Sequence, residues 1–350
     1  MKEIRIGSRL LGPQHPPLIV AEMSGNHNHD LDRALALVDA AAEAGAHALK
    51  LQTYTADTMT IDMDTGEFFI DDPDSLWHGR SLYDLYQEAY TPWEWHAPIF
   101  ERCRRRGLIP FSTPFDATAV DFLEELDVPC YKIASFENTD LPLIRKAAAT
   151  GKPLIISTGM ATATELQETV DAAVGAGCRD LILLQCTSTY PASPENTNLR
   201  TIADLREKFP CLAGLSDHTM GVGVSVAAVA LGAVLIEKHF TLGRAAGGVD
   251  AAFSIEPAEL KMLVEESRRA WQALGRVSYG PTEAERPSLK HRRSLYVVRD
   301  VAAGEPLTEA SVRAIRPGLG LPPGRLDDVL GRRAARDLAR GTPLRLEDLV

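Results

Sequence analysis

Eight short apolar segments alternate with stretches of helical spacing, and this alternation limits the possible folds more than any other feature. The segments are LIVAE (18–22), HALKLQ (47–52), LIPFST (108–113), CYKIAS (130–135), PLIIST (153–158), DLILLQC (180–186), CLAGLSD (211–217) and VLIEKHF (234–240). Strands that alternate with helices pair in parallel and are covered by the helices. Eight such units in about 270 residues predict an α/β fold, a (β/α)8 TIM barrel.

A doubly wound open sheet is the alternative fold for such a pattern. That fold often carries a Gly-x-Gly-x-x-Gly turn after its first strand, and the residues after LIVAE contain none. The barrel is therefore favoured, and a chain of 350 residues leaves room for a second, small domain.

Charge is distributed unevenly along the chain. From Arg286 to the end there are 13 Lys and Arg against 8 Asp and Glu, whereas the remainder has 24 against 40. A basic tail on an acidic body indicates a separate module that faces an anionic ligand, or else a chance imbalance of surface charge. The net charge of −11 argues against nucleic-acid binding.

The chain shows no feature of a secreted or membrane protein. It has no apolar run long enough to cross a membrane or to form a secretion signal. Its five Cys are odd in number, widely spaced and without a Cys-x-x-Cys motif, which indicates reduced thiols. We expect a cytoplasmic protein.

Polar residues stand at the end of nearly every predicted strand, and the carboxyl ends of barrel strands meet at one rim. Lys50 and Lys132 there suit a phosphate or carboxylate ligand. Hydroxyls to assist them come from Thr113, Ser135, Ser188 and Ser216. The alternative is that either lysine forms a structural ion pair with Glu22 or Glu137.

Two histidines occupy equivalent positions at the ends of the last two strands. His218 and His239 on adjacent strands can share one divalent metal ion, and oxygen-rich surroundings favour Mn²⁺ or Mg²⁺. Hydrogen-bonded core histidines are the alternative. A second His-rich stretch, NHNHD (26–30), is interpreted as a loop at His29, with His27 left open.

The connection after the second strand is far longer than the others. It contains LWHGRSLYDLYQEAYTPWEWH (76–96), with three of the four Trp of the chain, and its position predicts a place on the active-site rim. TPWE (91–94) predicts a capping box with Thr91 as N-cap, unless Pro98 starts a second helix. Each ring either packs on the barrel edge or contacts a ligand; Trp77, Tyr83 and Tyr90 are the rings expected to select a substrate.

These strand ends resemble a known family in their order and spacing. IVAEMSGNHNHDLDRA, ALKLQTY, FSTPFD, YKIAS, IISTGMA, GLSDHT and IEKHFTL resemble the sialic acid synthase family. The tail RRSLYVVRDVAAGEPLTEASVRAIRPGLGL resembles the C-terminal antifreeze-like (SAF) domain of that family, a mostly-β β-clip module. The segment 76–96, with FDATAVDFLEELDVP and GVDAAFSIEP, is similar to the pseudaminic acid synthase branch. Domain bounds of 1–280 (barrel), 281–292 (linker) and 293–350 (SAF domain) are expected.

The resemblance implies a metal-dependent condensation of phosphoenolpyruvate with an N-acylated amino sugar, which gives a nine-carbon 2-keto acid and phosphate. In the pseudaminic branch the sugar is 2,4-diacetamido-2,4,6-trideoxy-L-altrose. The implied ligands of phosphoenolpyruvate are Lys50, Thr113, Lys132, Ser135, Ser188 and Ser216, although neuraminate synthases often have Asn where Ser188 stands. The implied metal ligands are His218 and His239, for Mn²⁺, with Mg²⁺ or Co²⁺ as alternatives.

The same resemblance implies that Glu22 is the catalytic acid or base. It implies sugar contacts from Gln52, Glu137, Tyr190 and Asp250, and from Arg316 across the interface of a domain-swapped homodimer. Three alternatives remain. They are a neuraminate or legionaminate synthase with the same chemistry, a Schiff-base aldolase that uses Lys50 or Lys132, and a non-enzymatic carbohydrate- or ice-binding SAF module.

Overall fold

A computed structural model describes residues 3–350 of the chain. The chain divides into two compact units, one that extends to Gly275 and one from Arg276 to Val350. Within residues 3–350, no helix is both long enough and apolar enough to cross a membrane.

The first unit is a closed barrel of eight parallel strands, as the alternation predicts. The strands are β3 (Leu18–Glu22), β4 (Ala48–Thr53), β5 (Ile109–Pro114), β6 (Tyr131–Ile133), β7 (Leu154–Ser157), β8 (Leu181–Cys186), β9 (Leu212–Asp217) and β10 (Leu235–His239). They follow one another around the barrel in chain order, and β10 closes it by pairing with β3. All eight carboxyl ends therefore lie at one end of the barrel, which gathers the polar strand ends in one place.

Helices follow the strands and cover the barrel. They are α1 (Leu31–Glu43), α2 (Ala56–Met59), α3 (Leu82–Ala89), α4 (Trp93–Arg105), α5 (Ala117–Glu125), α6 (Leu141–Ala149), α7 (Ala163–Gly175), α8 (Thr201–Lys208), α9 (Gly223–Ala230) and α10 (Pro257–Leu274). Several start at a residue whose side chain accepts from the first turn, such as Asp30, Asp116 and Thr162. Their apolar faces and the outward faces of the strands form one large core.

A short hairpin precedes the barrel and was not predicted. Strands β1 (Ile4–Ile6) and β2 (Arg9–Leu11) pair in antiparallel fashion. The side chains of Ile4, Ile6 and Leu11 are buried with inward-facing residues from the barrel, among them Leu18 and Ile109. The hairpin thus fills the interior at the end opposite to the polar rim.

The long connection between β4 and β5 holds α2, α3 and α4. The predicted capping box at Thr91 is wrong, because Pro92 is the N-cap of α4 and no side chain caps that helix. The Thr91 hydroxyl lies instead 3.1 Å from Nε2 of His27. Helix α4 also continues through Pro98, so a second helix does not start there.

The second unit is small and rich in extended structure. Strands β11 (Ser294–Val297) and β12 (Val312–Ile315) pair in antiparallel fashion, and a short helix, α11 (Leu326–Val329), follows them. Isolated bridges such as Tyr296 to Pro343 and Val301 to Leu338 add to the pairing. The core of this unit consists of buried aliphatic residues, including Leu295, Leu307 and Leu344.

Candidate active site

The two lysines at the strand ends share one carboxylate inside the barrel. Lys50 Nζ lies 3.8 Å and Lys132 Nζ lies 3.7 Å from Oε1 of Glu237. Lys50 also lies 2.7 Å from Oε2 of Glu22 and donates a 2.8 Å hydrogen bond to Oγ1 of Thr113. The alternative interpretation of Lys50, an ion pair with Glu22, is therefore present, and anion binding by Lys50 stays a prediction. These contacts join strands β3, β4, β5, β6 and β10, so the cluster is in the barrel interior.

Burial affects the charged groups of this cluster differently. Burial raises the pKa of Glu22 to about 7, although Lys50 opposes the shift. Burial also acts to raise the pKa of Glu237, but Lys132 and Lys50 outweigh it and hold this pKa below its usual value. Burial lowers the pKa of Lys132. Glu22 can therefore exchange a proton near neutral pH, whereas Glu237 stays ionised.

The four hydroxyl residues lie around this cluster at the ends of β5, β6, β8 and β9. Ser216 donates a 3.3 Å hydrogen bond to Oε1 of Glu237. Ser135 Oγ accepts a 3.2 Å hydrogen bond from the N–H of Gly159. A Cβ atom on Gly159 would lie 2.3 Å from Oγ of Ser188 and 2.6 Å from Oγ of Ser135. The two serines thus approach each other across a position that only glycine fits.

The rings of His218 and His239 lie side by side, with centroids 5.3 Å apart. Nδ1 of His218 lies 2.9 Å from the carbonyl oxygen of Thr187, which can only accept, so Nδ1 carries the proton and Nε2 keeps a lone pair. Nδ1 of His239 is buried without a hydrogen-bond partner among the described residues, and it lies 3.7 Å from Oδ2 of Asp250. Burial, and then His218, keep the pKa of His239 well below its usual value, so its ring is neutral.

Burial acts to lower the pKa of His218, but Cys186 and Thr187 outweigh it and raise this pKa. In its neutral form His218 offers Nε2, and together with the neutral ring of His239 it has the donor chemistry that a borderline divalent ion takes. No group of three or more His, Cys, Asp and Glu side chains in residues 3–350 is arranged as a metal site. An ion between His218 and His239 would therefore depend on water or substrate oxygens for its other ligands. The metal stays a prediction.

A cavity of about 340 Å³ opens at the same end of the barrel. Four residues expected to contact a sugar line it, namely Gln52, Glu137, Tyr190 and Asp250, together with His239. Burial raises the pKa of Glu137 to about 7, against the effect of Lys132. The cavity thus has a second carboxyl group that can hold a proton at neutral pH. The fifth expected contact, Arg316, is an exposed residue of the second unit.

The long connection after β4 supplies much of the apolar wall of this cavity. Its contributions are Met59, Ile70, Trp77, Leu82, Leu85, Tyr86 and Ala89. Trp77 also donates a 3.0 Å hydrogen bond from Nε1 to the carbonyl oxygen of Val249. The expectation for Tyr83 and Tyr90 is wrong, because Tyr83 donates to Asp57 outside the cavity and Tyr90 packs on His29. Tyr86 is the ring that the sequence did not single out.

Not every buried charge near the rim belongs to the site. Lys238 lies 2.9 Å from Asp217, and Ser225 of α9 donates to the same carboxylate. Because Lys238 lies between Glu237 and His239 on one strand, it points to the opposite, helix-covered face. His27 is likewise a core residue, fully buried and bonded to Thr91, and not part of the cavity.

Sequence reasoning missed Glu237 and Gly159. Glu237 stands in the same segment as His239, two residues before it, and strand alternation could have placed both on one face. Gly159 follows a strand directly in IISTGMA, where a glycine indicates a close approach to a neighbour.

The fold and its rim define a TIM-barrel enzyme with a cationic, hydroxyl-rich pocket beside a largely apolar cavity. Comparison with known proteins agrees with this class. The NeuB family matches residues 37–279, and the SAF domain matches residues 292–350. The chain belongs to the NeuB family.

Relatives from bacteria extend over almost the whole chain. The pseudaminic acid synthase of Helicobacter pylori is 44% identical, over 95% of this chain and 98% of that protein. The N,N'-diacetyllegionaminic acid synthase of Legionella pneumophila is 36% identical, over 95% and 94%. The crystal structure of the N-acetylneuraminic acid (sialic acid) synthetase from Leptospira borgpetersenii, in complex with citrate, is 33% identical. It matches with a TM-score of 0.73 over 82% of this chain and 95% of that one.

Proposed function

We propose that the protein is a pseudaminic acid synthase. It condenses phosphoenolpyruvate with 2,4-diacetamido-2,4,6-trideoxy-L-altrose and releases phosphate. One observation carries the proposal. In a chain that resembles pseudaminic acid synthases along nearly all its length, a buried pair of lysines lies beside a cavity with an apolar wall.

The cationic cluster is the proposed site for phosphoenolpyruvate. Lys50 and Lys132 provide two positive charges, and the substrate brings a carboxylate and a phosphate. In the structure both ammonium groups face Glu237, so the bound anions would add to an existing network of charges. The hydroxyls of Thr113, Ser135, Ser188 and Ser216 then donate to the oxygens that the lysines leave unpaired.

The proposed reaction forms one carbon–carbon bond and one carbon–oxygen bond, the latter from water, and breaks the carbon–oxygen bond to phosphate. The methylene carbon of phosphoenolpyruvate attacks the aldehyde carbon of the open-chain sugar, and water adds to the resulting cationic centre. The tetrahedral intermediate loses phosphate with its bridging oxygen and leaves the 2-keto acid. Glu22 moves the proton of the water, which a pKa of about 7 allows. Glu137, with a similar pKa and a place in the cavity, donates to the sugar oxygen.

His218 and His239 are the residues that would hold the divalent ion. An ion there supplies Lewis-acid polarisation of the substrate carbonyl. The contribution of the chain is to fix the ring of His218 by its bond to Thr187, and to keep the ring of His239 neutral by burial.

The test is product analysis by mass spectrometry. The protein is incubated with phosphoenolpyruvate and, separately, with the altrose derivative, its legionaminate-series isomer and N-acetylmannosamine, with and without EDTA. We expect a nine-carbon acid mainly from the altrose derivative, and loss of product with EDTA. Product from N-acetylmannosamine alone would favour a neuraminate synthase. In a second experiment the bridging oxygen of phosphoenolpyruvate is labelled with ¹⁸O. If the label stayed in the sugar acid and did not leave with phosphate, the proposed cleavage of the carbon–oxygen bond would be rejected.

A Schiff-base aldolase is a second candidate, and one observation favours it. Burial lowers the pKa of Lys132, which makes its neutral amine more accessible. Borohydride added together with a carbonyl substrate would trap such an intermediate on Lys132. We expect no covalent adduct, because Glu237 stays close enough to keep Lys132 charged.

We also propose that the protein works as a homodimer in which Arg316 of one copy enters the cavity of the other. Exposed apolar side chains on barrel loops, Phe136, Met160 and Met220, support a covered surface at that end. The test is complementation between two inactive variants, Arg316→Ala and Lys50→Met. When the two variants are mixed and refolded together, about half of the dimers should contain one copy of each variant, and each such dimer has one intact composite site of two. The mixture should therefore recover about a quarter of the wild-type activity. No recovery would contradict a shared site.

A further inference from the structure

Three buried polar side chains form a continuous hydrogen-bond chain on the outside of the barrel. Ser112 Oγ lies 2.6 Å from Oγ1 of Thr53, and Thr53 Oγ1 lies 2.8 Å from Nε2 of His96. All three residues are fully buried. His96 belongs to α4, whereas Thr53 and Ser112 stand at the carboxyl ends of β4 and β5.

The chain has a defined direction. Nδ1 of His96 lies 3.3 Å from the carbonyl oxygen of Pro92, which can only accept, so Nδ1 carries the proton. Nε2 must then accept from the Thr53 hydroxyl, and Thr53 in turn accepts from Ser112. Burial keeps the pKa of His96 low, at about 4, so the ring remains the neutral acceptor that this order requires.

The chain lies directly behind the anion site. Lys50 and Thr113 are on the opposite faces of the same two strands, where Lys50 donates to Thr113 at 2.8 Å. Gln52 pairs with Thr113 and Thr53 pairs with Pro114 in the register of β4 and β5. Phe115 donates its N–H to the carbonyl oxygen of Thr53 at 3.3 Å, so the hydroxyl chain adds a side-chain tie next to the backbone hydrogen bond at the carboxyl end of this strand pair.

We propose that His96 is a positioning residue for this active site. Through Thr53 and Ser112 it holds the ends of β4 and β5 so that Lys50 and Thr113 face the anionic groups of phosphoenolpyruvate. The inference rests on the proposed function. It assigns a role to the end of the aromatic segment, WEWH, which does not line the cavity.

The test measures phosphoenolpyruvate binding by isothermal titration calorimetry, together with the melting temperature. His96→Phe keeps the ring contacts with Phe100 and Phe122 but removes the acceptor. We expect its Kd to rise about tenfold. Thr53→Val, which is nearly isosteric, should give a similar rise in Kd. The double variant, His96→Phe with Thr53→Val, should have a Kd no higher than that of either single variant. His96→Gln, whose amide oxygen can accept from Thr53, should restore most of the affinity.

His47 provides the matched control at the other end of β4. Its Nδ1 accepts a 2.9 Å hydrogen bond from the N–H of Ile19, so it is also an imidazole acceptor but lies far from the rim. His47→Phe should lower the melting temperature as much as His96→Phe and leave the Kd unchanged. Wild-type affinity in His96→Phe and Thr53→Val, or additive effects in the double variant, would overturn the inference. A wild-type protein that binds no phosphoenolpyruvate would reject the proposed function itself.

Discussion

Nζ of Lys50 lies 2.7 Å from Oε2 of Glu22, and both side chains are almost completely buried. A buried pair of this kind is strongly destabilised when one partner is removed, unless the remaining group can become neutral. Glu22 can do so, because burial already raises its pKa to about 7. The pair is therefore arranged to tolerate a change of charge.

Lys50→Met should abolish most of the activity and cost little stability. We expect kcat/KM for phosphoenolpyruvate to fall at least about 100-fold, since an ionic contact to the substrate is lost. The free energy of unfolding at pH 7 should fall by only about 1–2 kcal/mol, because Glu22 takes up a proton. Steady-state kinetics and urea denaturation measure the two quantities.

Lys238→Met is the control for that experiment, because it breaks a buried pair that faces away from the cavity. In this variant Asp217 keeps its hydrogen bonds from Ser225 and Thr219, which favour the carboxylate form, so it remains a buried charge without its cation. We expect a loss of about 3–5 kcal/mol of unfolding free energy. A greater loss of stability in Lys50→Met than in Lys238→Met would contradict this account of Glu22.

Gly159→Ala should weaken phosphoenolpyruvate binding by steric pressure on Ser135 and Ser188. The added methyl would lie 2.3 Å from Oγ of Ser188, so the serines must move apart. We expect KM for phosphoenolpyruvate to rise about tenfold, equal to the loss of about one good hydrogen bond. Gly175→Ala, at the end of α7 with open space around it, is the control and should leave KM unchanged. Equal kinetics for the two variants would mean that the serines do not hold the substrate.

The barrel and most of its polar rim could be predicted from the sequence because both depend on local pattern. Apolar runs of four to eight residues followed by helical spacing give the strands, and the parallel arrangement brings their carboxyl ends together. Lys50, Lys132 and His218 follow from that rule alone. Glu237 needs a further step, because a strand buried on both faces shows no polar alternation of its own, and only the inward placement of His239 two residues later indicates that Glu237 also points inward.

Features that depend on long-range packing could not be predicted. Strands of three residues such as β1 have too few positions to show a period, so the hairpin that fills the barrel gave no signal. Thr91 has the sequence of a helix cap, but its hydroxyl is taken by His27, which is distant in the chain. Tyr83 and Tyr86 are equally aromatic, and only the rotation of α3 decides that Tyr86 lines the cavity.

Trp77→Ala should change the recognition of the sugar more than that of phosphoenolpyruvate. The Trp77 ring lines the cavity, and its centroid lies 6.0 Å from that of the Tyr190 ring. Its Nε1 donates to the carbonyl oxygen of Val249, the residue before Asp250. We expect KM for the sugar to rise at least about tenfold, from the lost apolar contact and the released loop, with KM for phosphoenolpyruvate within about twofold. Trp77→Phe separates the two contributions, since it keeps a ring and loses the hydrogen bond.

Tyr83→Ala is the matched control, because it removes a neighbouring ring whose hydroxyl bonds to Asp57 outside the cavity. Kinetics with both substrates varied in turn should show wild-type values for this variant. If Tyr83→Ala altered the sugar KM as much as Trp77→Ala, the effect would come from a general loosening of the long connection between β4 and β5 (54–108).

The stability of the protein should depend on pH through His47. Burial, followed by Arg9 and Arg268, lowers the pKa of this imidazole to about 3, and its Nδ1 accepts from the N–H of Ile19. Because the folded pKa lies below the unfolded value, this contribution is fully present above about pH 6.5 and is lost as the pH falls toward 3. In that range the unfolded chain binds one more proton than the folded protein, which lowers the free energy of unfolding by about 1 kcal/mol per pH unit.

His47→Gln keeps an acceptor without titrating. Between pH 7 and 5 its free energy of unfolding should therefore fall by about 1–2 kcal/mol less than that of the wild type. Urea denaturation at both pH values measures this difference, and His291→Gln, at an exposed position, is the control. The same pH dependence in wild type and His47→Gln would show that His47 does not stay neutral in the folded protein.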